Sequence, residues 1–382
     1  MQKIIPLLFL PLSSFSQWIM QDNLPGPARD DATAGYYQGF IYTGNGRDEG
    51  FTVRGDWMKY DVQNKQWFQM GDAPFSRRQY GMAAAAEDGV YVLGGILSGQ
   101  YFDDVWKYVP DDEQWVELPS FPFSLAQGML LSWQNKLIAG LGRGDNTNDS
   151  LYVFEGDEWT FLTAFPGGKR HGTGHFISGN RLYVGWGKDD DDHIKSDWWS
   201  FDLQRDSWHQ IESPPATPRW WCSSTAYPGG GGVVGLGMDE DETFMNDLWV
   251  YHPIQKNWTQ LEGSLPTLRG ANLLSDDTNL HLFWGVKGNF SRTPNHYISE
   301  ENTLESKVVL YPNPTRDFVN IERIFSDGTN SWEIIDAQGR VCSQRECVSG
   351  IPCTFSVLEL ASGLYMARNA EENITIKFLV TH

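Results

Sequence analysis

Val90-Tyr91-Val92-Leu93-Gly94-Gly95, then Asp104-Val105-Trp106-Lys107-Tyr108, then Trp115 with Pro122 behind it, is the stretch on which the fold turns. The first run is apolar and ends in glycines, the second alternates, and the third is a tryptophan strand closed by proline. Alternation with period two sends successive side chains to opposite faces of a strand, and Gly and Pro punctuate such runs. The pattern repeats outward in both directions. Trp18…Pro25, Trp67…Pro74, Trp115…Pro122, Trp159…Pro166, Trp208…Pro215 and Trp258…Pro266 follow one another at intervals of 44 to 50 residues. Ahead of these tryptophans stand Asp56-Trp57-Met58-Lys59-Tyr60, Ser150-Leu151-Tyr152-Val153-Phe154, Asp197-Trp198-Trp199-Ser200-Phe201 and Asp247-Leu248-Trp249-Val250-Tyr251. Further upstream lie the glycine-ended strands at Leu137–Gly142, Leu182–Gly187 and Val233–Gly237.

A four-strand unit repeated with a period near ~50 residues resembles the kelch repeat, one propeller blade per unit. Six such units imply an all-β, six-bladed kelch β-propeller. Only Gly94-Gly95 is the double glycine of that family; the other strands end in Gly-x-Gly. The last unit, residues 269–299, offers three strands, with Asn295-His296-Tyr297 in the aromatic position. Trp18-Ile19-Met20 has no preceding strands and is expected to supply the fourth, which closes the ring and removes the exposed edges of an open stack.

Bulk numbers agree with an all-β chain. The 382 residues include 17 Trp and 39 Gly, and no stretch shows the apolar stripe of an amphipathic helix. The net charge of −20 excludes nucleic acid and anionic membrane as partners, since both require a basic face. Four cysteines are too few for a disulfide scaffold; one pair among Cys342, Cys347 and Cys353 is expected, and three pairings are open. Cys222 lies in no copper motif, and no cofactor or metal is expected.

Both ends carry addresses. Lys3, the apolar run Ile4 to Leu12 and the small residues Ser14 and Ser16 read as a signal peptide over residues 1–16, cut before Gln17. No stretch is long and apolar enough for a transmembrane helix. Leu310-Tyr311-Pro312-Asn313-Pro314-Thr315, Trp332 to Arg340, Leu360-Ala361-Ser362-Gly363-Leu364-Tyr365 and a closing strand over residues 374–380 resemble, in order and spacing, the type A sorting domain of the Bacteroidetes type IX secretion pathway. The resemblance implies a small C-terminal immunoglobulin-like β-sandwich over residues 303–382, recognition by the secretion machinery, and a secreted protein, extracellular or on the outer cell surface. Residues 17–302 are then the propeller.

In kelch propellers the residues that open each innermost strand project toward one mouth of the central channel. Here these are Arg29, Arg77-Arg78, Leu125-Ala126, Arg170-His171, Arg219-Trp220-Trp221 and Arg269. Arginine suits a bidentate grip on carboxylate, so the ring, with Trp220, Trp221 and Tyr80 as stacking faces, reads as a ligand site for an acidic glycan or peptide. The competing reading is structural: each arginine pairs with an acid of the adjacent blade, such as Asp30 or Asp31. A non-enzymatic binding module is the leading expectation, and no catalytic residue is assigned. The runner-up is an enzyme similar to the kelch-type N-acetylneuraminate epimerases, in which His171 is the one acid–base candidate. His171 and His175 share a strand face but lack a third metal ligand; Lys188–His193 and Asp145–Asp149 lack the alternation of a calcium loop.

Overall fold

The computed structural model describes residues 16–86, 88–145, 147–228, 230–276, 278–301, 308–311, 315–323, 329–348, 353–369 and 374–382. The signal peptide, apart from Ser16, and Pro312-Asn313-Pro314 lie outside them. The strands up to Glu301 form one unit and those from Val308 another.

In the first unit, six four-stranded antiparallel sheets make six blades. Blade one is Thr33–Tyr37, Phe40–Gly44, Asp56–Asp61 and Gln66–Asp72, in sequence order from the innermost strand outward. Blades two to five begin at Met82, Met129, Gly174 and Ser223 in the same order. Blade six is composite. Asn272–Ser275, Leu280–Phe283 and His296–Glu301 come from the end of the unit, and Ser16–Met20 adds the outer strand, with Trp18 opposite Ser299 and Met20 opposite Tyr297.

The glycine-ended second strands have a steric cause. A Cβ on Gly44 would lie 2.4 Å from the Trp57 indole, and one on Gly185 would lie 2.1 Å from that of Trp198. Each indole lies across its own blade's glycine and meets the next blade edge-on: Trp57 with Trp115 and Trp198 with Trp258, both at 4.9 Å between centroids. Such pairs add about 0.5–1.5 kcal/mol beyond burial. The core is thus a ring of inter-blade seams, with Tyr42, Trp57, Val90, Val92 and Tyr108 in one of them.

The second unit pairs the three-stranded sheet of Val308–Tyr311, Phe318–Arg323 and Cys353–Ser356 with a four-stranded sheet of Thr329–Ile335, Val341–Val348, Gly363–Asn369 and Ile374–Val380. Val319, Ile321 and Phe355 from the first sheet pack with Trp332, Ile334, Ala367 and Phe378 from the second. Of the three pairings left open by the sequence, the structure forms Cys347–Cys353 and leaves Cys342 exposed. No helix of the described residues is long and apolar enough to cross a membrane.

Candidate functional site

One backbone hydrogen bond fixes the register of all six blade entries. The amides of Gly285, Gly46, Gly95, Gly142, Gly187 and Gly237 donate to the carbonyls of Arg29, Arg78, Leu125, Arg170, Arg219 and Leu268. Those six residues are therefore equivalent. Arg269, aligned with the other arginines from sequence, is one position further along, and Arg77 is one position earlier and exposed.

The four equivalent arginines are buried bolts. Arg29 donates Nη1 and Nη2 to Asp56 at 3.0 and 2.8 Å, Arg78 to Asp104 at 2.6 and 2.8 Å, and Arg170 to Asp197 at 2.8 and 3.3 Å. Arg219 grips Asp247 in the same bidentate way. Each Nη1 also donates to a backbone carbonyl, of Asn45, Gly94, Trp186 or Leu236, and no arginine of the four exceeds 1% exposure. Burial raises the pKa of Asp56, Asp197 and Asp247, but the arginine hydrogen bonds and charge outweigh it and hold all three below the usual carboxylate range. These arginines spend both Nη atoms on protein acceptors in full burial, with Arg170 Nε left unpaired, which corrects the sequence expectation that they form the binding ring. For these four the partner is also corrected: it is an aspartate at or within the third strand of the same blade, 26 to 28 residues on, whereas Arg269 does meet Asp30 of the adjacent blade, at 3.9 Å. Where leucine replaces arginine, the aspartate is gone too, replaced by Ser150 in blade three and Asn295 in blade six.

The next residue in each blade faces the mouth. Asp30, Gln79, Ala126, His171, Trp220 and Arg269 bridge antiparallel to Arg47, Ile96, Arg143, Lys188, Met238 and Val286. The residue after that adopts positive φ in every blade: Asp31 at 56°, Tyr80 at 58°, Gln127 at 56°, Gly172 at 63°, Trp221 at 53° and Gly270 at 59°. Left-handed backbone turns the chain from the mouth into the innermost strand. It also lets the amides of Tyr80, Gln127 and Gly172 donate to Asp31, Tyr80 and Gln127, and that of Asp31 to Gly270, at 2.8 to 3.2 Å. Beneath this collar the innermost strands enclose a channel of about 420 Å³ lined mainly by small residues such as Ala83, Ser132, Thr173 and Ser224.

Two charged groups flank the collar. On one side Arg269 lies 4.3 Å over Trp221, Arg292 donates Nε to Asp30 at 2.5 Å, and Arg47 approaches the Phe51 ring at 5.4 Å. Asp31, next to Asp30, has its pKa held well above the usual range, by burial first and by the Asp30 charge second, against Arg269, Tyr80 and Arg47. Tyr80 approaches it without completing a hydrogen bond that satisfies distance and angle. On the other side His171 is buried against Trp220, edge-on at 5.6 Å, and Lys188 lies 4.5 Å over that indole. Burial, helped by Arg143 and Lys188, lowers the His171 pKa to about 4, so the ring is neutral at pH 7. Trp220 and Trp221 stack at 3.7 Å, and Trp221 is parallel to Tyr80 of the opposite blade at 6.1 Å.

Among the described residues this rim gathers buried polar atoms without a hydrogen-bond partner, Arg47 Nε, Gln79 Oε1, His171 Nδ1 and Trp221 Nε1, beside Arg269 Nη1 and Asp30 Oδ2, which meet only as a long ion pair at 3.9 Å. Buried polar groups are nearly always hydrogen-bonded, so such a cluster marks a place where another molecule completes the bonds. Of the sequence-nominated residues, Tyr80, His171, Trp220, Trp221 and Arg269 stand here. Asp30 and Asp31 were named only as structural ion-pair partners, and Arg47, Arg143, Lys188 and Arg292 were missed as site residues. His175 faces the channel with Nδ1 at 3.1 Å from the Thr173 carbonyl. Asp189, Asp191 and His193 have ligand atoms within 4.8 Å of one another, on an exposed loop where Asp189 already accepts from the Asp191 and His193 amides and pairs with Lys195.

Residues 309–381 match the secretion system C-terminal sorting domain, and residues 82–122 match the kelch motif. The solved structure of YjhT superposes with a TM-score of 0.62 over 73% of this chain and 96% of that one at 15% identity, a likeness of fold. Curated relatives include acyl-CoA-binding domain-containing protein 4 of Arabidopsis thaliana, 25% identical over 167 residues, and Kelch-like protein 36 of Bos taurus, 25% identical over 174 residues. These matches cover 39% and 43% of this chain, which spans only 25% and 27% of those relatives' lengths.

Proposed function

For a kelch propeller exported with a secretion-system C-terminal sorting domain, extracellular or on the outer surface, we propose that the collar-side mouth of the propeller is a binding site for an anionic ligand, an acidic glycan or protein segment. The single observation that carries this is the set of buried donors on one rim, Arg47 Nε and Trp221 Nε1 without a hydrogen-bond acceptor among the described residues and Arg269 Nη1 with only Asp30 at 3.9 Å. A carboxylate supplies acceptors and charge together, and guanidinium–carboxylate bonds are among the strongest polar contacts. The stacked Trp220 and Trp221 give an adjoining flat apolar face. Residues 17–302 are taken as the ligand-binding part and residues 303–382 as the part read by the secretion machinery.

The test is binding of the full secreted chain to carboxylated and neutral oligosaccharides and to acidic peptides. Arg47→Gln and Arg269→Gln are expected to weaken the acidic ligand by about 2–5 kcal/mol each, as loss of a buried hydrogen-bonded charge does. Equal binding by wild type and both variants would overturn the assignment.

A second reading, acid–base turnover of a carboxylated sugar, is favoured by one observation. Burial and the neighbouring Asp30 charge push the Asp31 carboxyl toward its neutral form beside the mouth, the form a general acid needs. Its charged neighbours are Asp30, Arg269 and Arg47, whereas those of His171 are Arg143, Lys188, Asp192 and Asp190, so the two groups occupy separate environments. Anomer interconversion of N-acetylneuraminate, followed by NMR with wild type and Asp31→Asn, decides it: catalysed interconversion lost in the variant establishes an enzyme.

A further inference from the structure

The mouth is ringed by loops of one design with two different chemistries. Residues 47–53, 188–194, 238–244 and 286–292 each bridge their ends, Arg47 to Val53, Lys188 to Ile194, Met238 to Phe244 and Val286 to Arg292. Each is a tight turn whose tip residue donates its amide three residues back and adopts positive φ: Phe51 at 61°, Asp192 at 64°, Glu242 at 59° and Phe290 at 64°. The left-handed region suits Gly, Asn and Asp and is unfavourable for a large aromatic. Blades one and six, which adjoin where the ring closes, nevertheless display phenylalanine there, 71% and 62% exposed.

The two phenylalanine loops are tied together. The Arg292 amide donates to Glu49 Oε1 at 2.7 Å, and the Arg292 guanidinium lies 5.3 Å over Phe51. Phe290 packs on Phe244 at 5.4 Å, and Met238, Phe244 and Val286 form a small apolar cluster with Trp220 and Trp221. An apolar strip therefore runs from Phe290 to the tryptophans of the mouth, and Phe51 stands beside the Arg292 and Arg47 guanidiniums, with Arg269 over Trp221. The tips of the loops of blades four and five are the reverse: Asp190, Asp191, Asp192, Glu240, Asp241 and Glu242 are all exposed, while the ends of the blade-five loop, Met238 and Phe244, stay in the apolar cluster. One side of the rim is apolar and basic, the other densely acidic.

We infer that the natural occupant is a protein segment of bipolar character, with acidic and apolar side chains seated on Phe51, Phe290 and the arginines and basic side chains on the acidic loops of blades four and five. This rests on the proposed anion-binding mouth and narrows it. A uniformly anionic glycan is repelled by the acidic loops, whereas a chain whose charge changes sign along its length is complementary to the whole rim. The phenyl rings point to the same choice. Phe51 and Phe290 are both largely exposed, and Phe51 sets apolar surface directly beside the Arg47 and Arg292 guanidiniums, so one segment can meet both.

The experiment selects displayed random short peptides on the immobilised full secreted chain, with polygalacturonate binding measured in parallel. Phe51→Asn with Phe290→Asn, residues that tolerate positive φ, and Glu240→Lys with Glu242→Lys are the variants. Selected peptides are expected to combine acidic–apolar and basic halves and to lose about tenfold or more in affinity to the asparagine variant. The lysine variant is expected to bind them more weakly and polygalacturonate more tightly. Acidic ligands that bind regardless of the phenylalanines and the acidic loops overturn this inference and leave the anionic mouth standing. If no acidic peptide or glycan binds, or Arg47→Gln changes nothing, the mouth assignment itself falls.

Discussion

Arg219 and Trp220 are neighbours in sequence, yet they belong to different regions of the molecule. In the layer of Arg219 four guanidiniums each meet a carboxylate and a backbone carbonyl in full burial, with Arg170 Nε the one buried guanidinium nitrogen among the described residues of the layer left unpaired. The layer of Trp220, His171 and Arg269 is unsaturated, with donors and acceptors that end without partners. The same blade entry, read one residue further, passes from a part that holds the ring together to a part open to another molecule. Residue type alone does not distinguish the two, because arginine occurs in both.

The largest effect that would break this comparison is on stability. Asp104→Ala strands Arg78 as a buried charge and is expected to cost about 3–5 kcal/mol in denaturant unfolding. The double variant Arg78→Leu with Asp104→Asn copies the Leu268 and Asn295 of blade six and is expected to stay within about 1 kcal/mol of wild type, since a buried pair replaced as a unit is often near neutral. If the single and double variants are equally unstable, the arginine and aspartate do not act as a pair.

Blade six sharpens the contrast, because its boltless entry adjoins titratable groups. His281 contacts His296 at 3.0 Å and Asp276 at 2.8 Å, and His296 packs against Tyr60 and Trp67 of blade one. Burial, then the His281 charge, lowers the His296 pKa to about 3. A histidine whose folded pKa lies below its unfolded value stabilises fully above about pH 6.5 and loses that contribution as pH falls toward the folded pKa. His171 and His175, both lowered to about 4 by burial first, act in the same direction. Each of the three is expected to remove about 2–4 kcal/mol of stability between pH 7 and pH 4, with His296→Gln flattening the profile in part. A wild-type profile that is flat over this range contradicts the buried, neutral histidines.

The smallest expected effect on stability belongs to the mouth. Arg47→Gln, half-buried and with Nε unpaired, should change unfolding free energy by no more than about 0.5 kcal/mol while ligand affinity falls.

Much of the fold was legible because sterics write it periodically. Tryptophan, proline and glycine recur where an indole must lie on a Cβ-free strand, and Trp18 to Met20 could be placed by counting strands. The site was harder. The arginine ring drew attention through residue type, but its partners were also in the sequence: blades with arginine carry Asp56, Asp104, Asp197 and Asp247, and blades with leucine carry Ser150 and Asn295. That internal covariation shows pairing, and it would have moved Arg269 out of register with the others. Asp31, Arg47 and Arg292 lack any such signal. Arg292 reaches Asp30 and Glu49 only through the closure of blade six on blade one, contacts between positions more than 240 residues apart in the chain.

The most direct test measures unfolding and acidic-ligand binding on the same three proteins: wild type, Arg78→Leu with Asp104→Asn, and Arg47→Gln with Arg269→Gln. The first double variant is expected to keep its ligand, showing that the bolts play no part in binding, and the second to lose the ligand while remaining folded. Loss of binding in the bolt variant with retention in the mouth variant would contradict the division between the two layers.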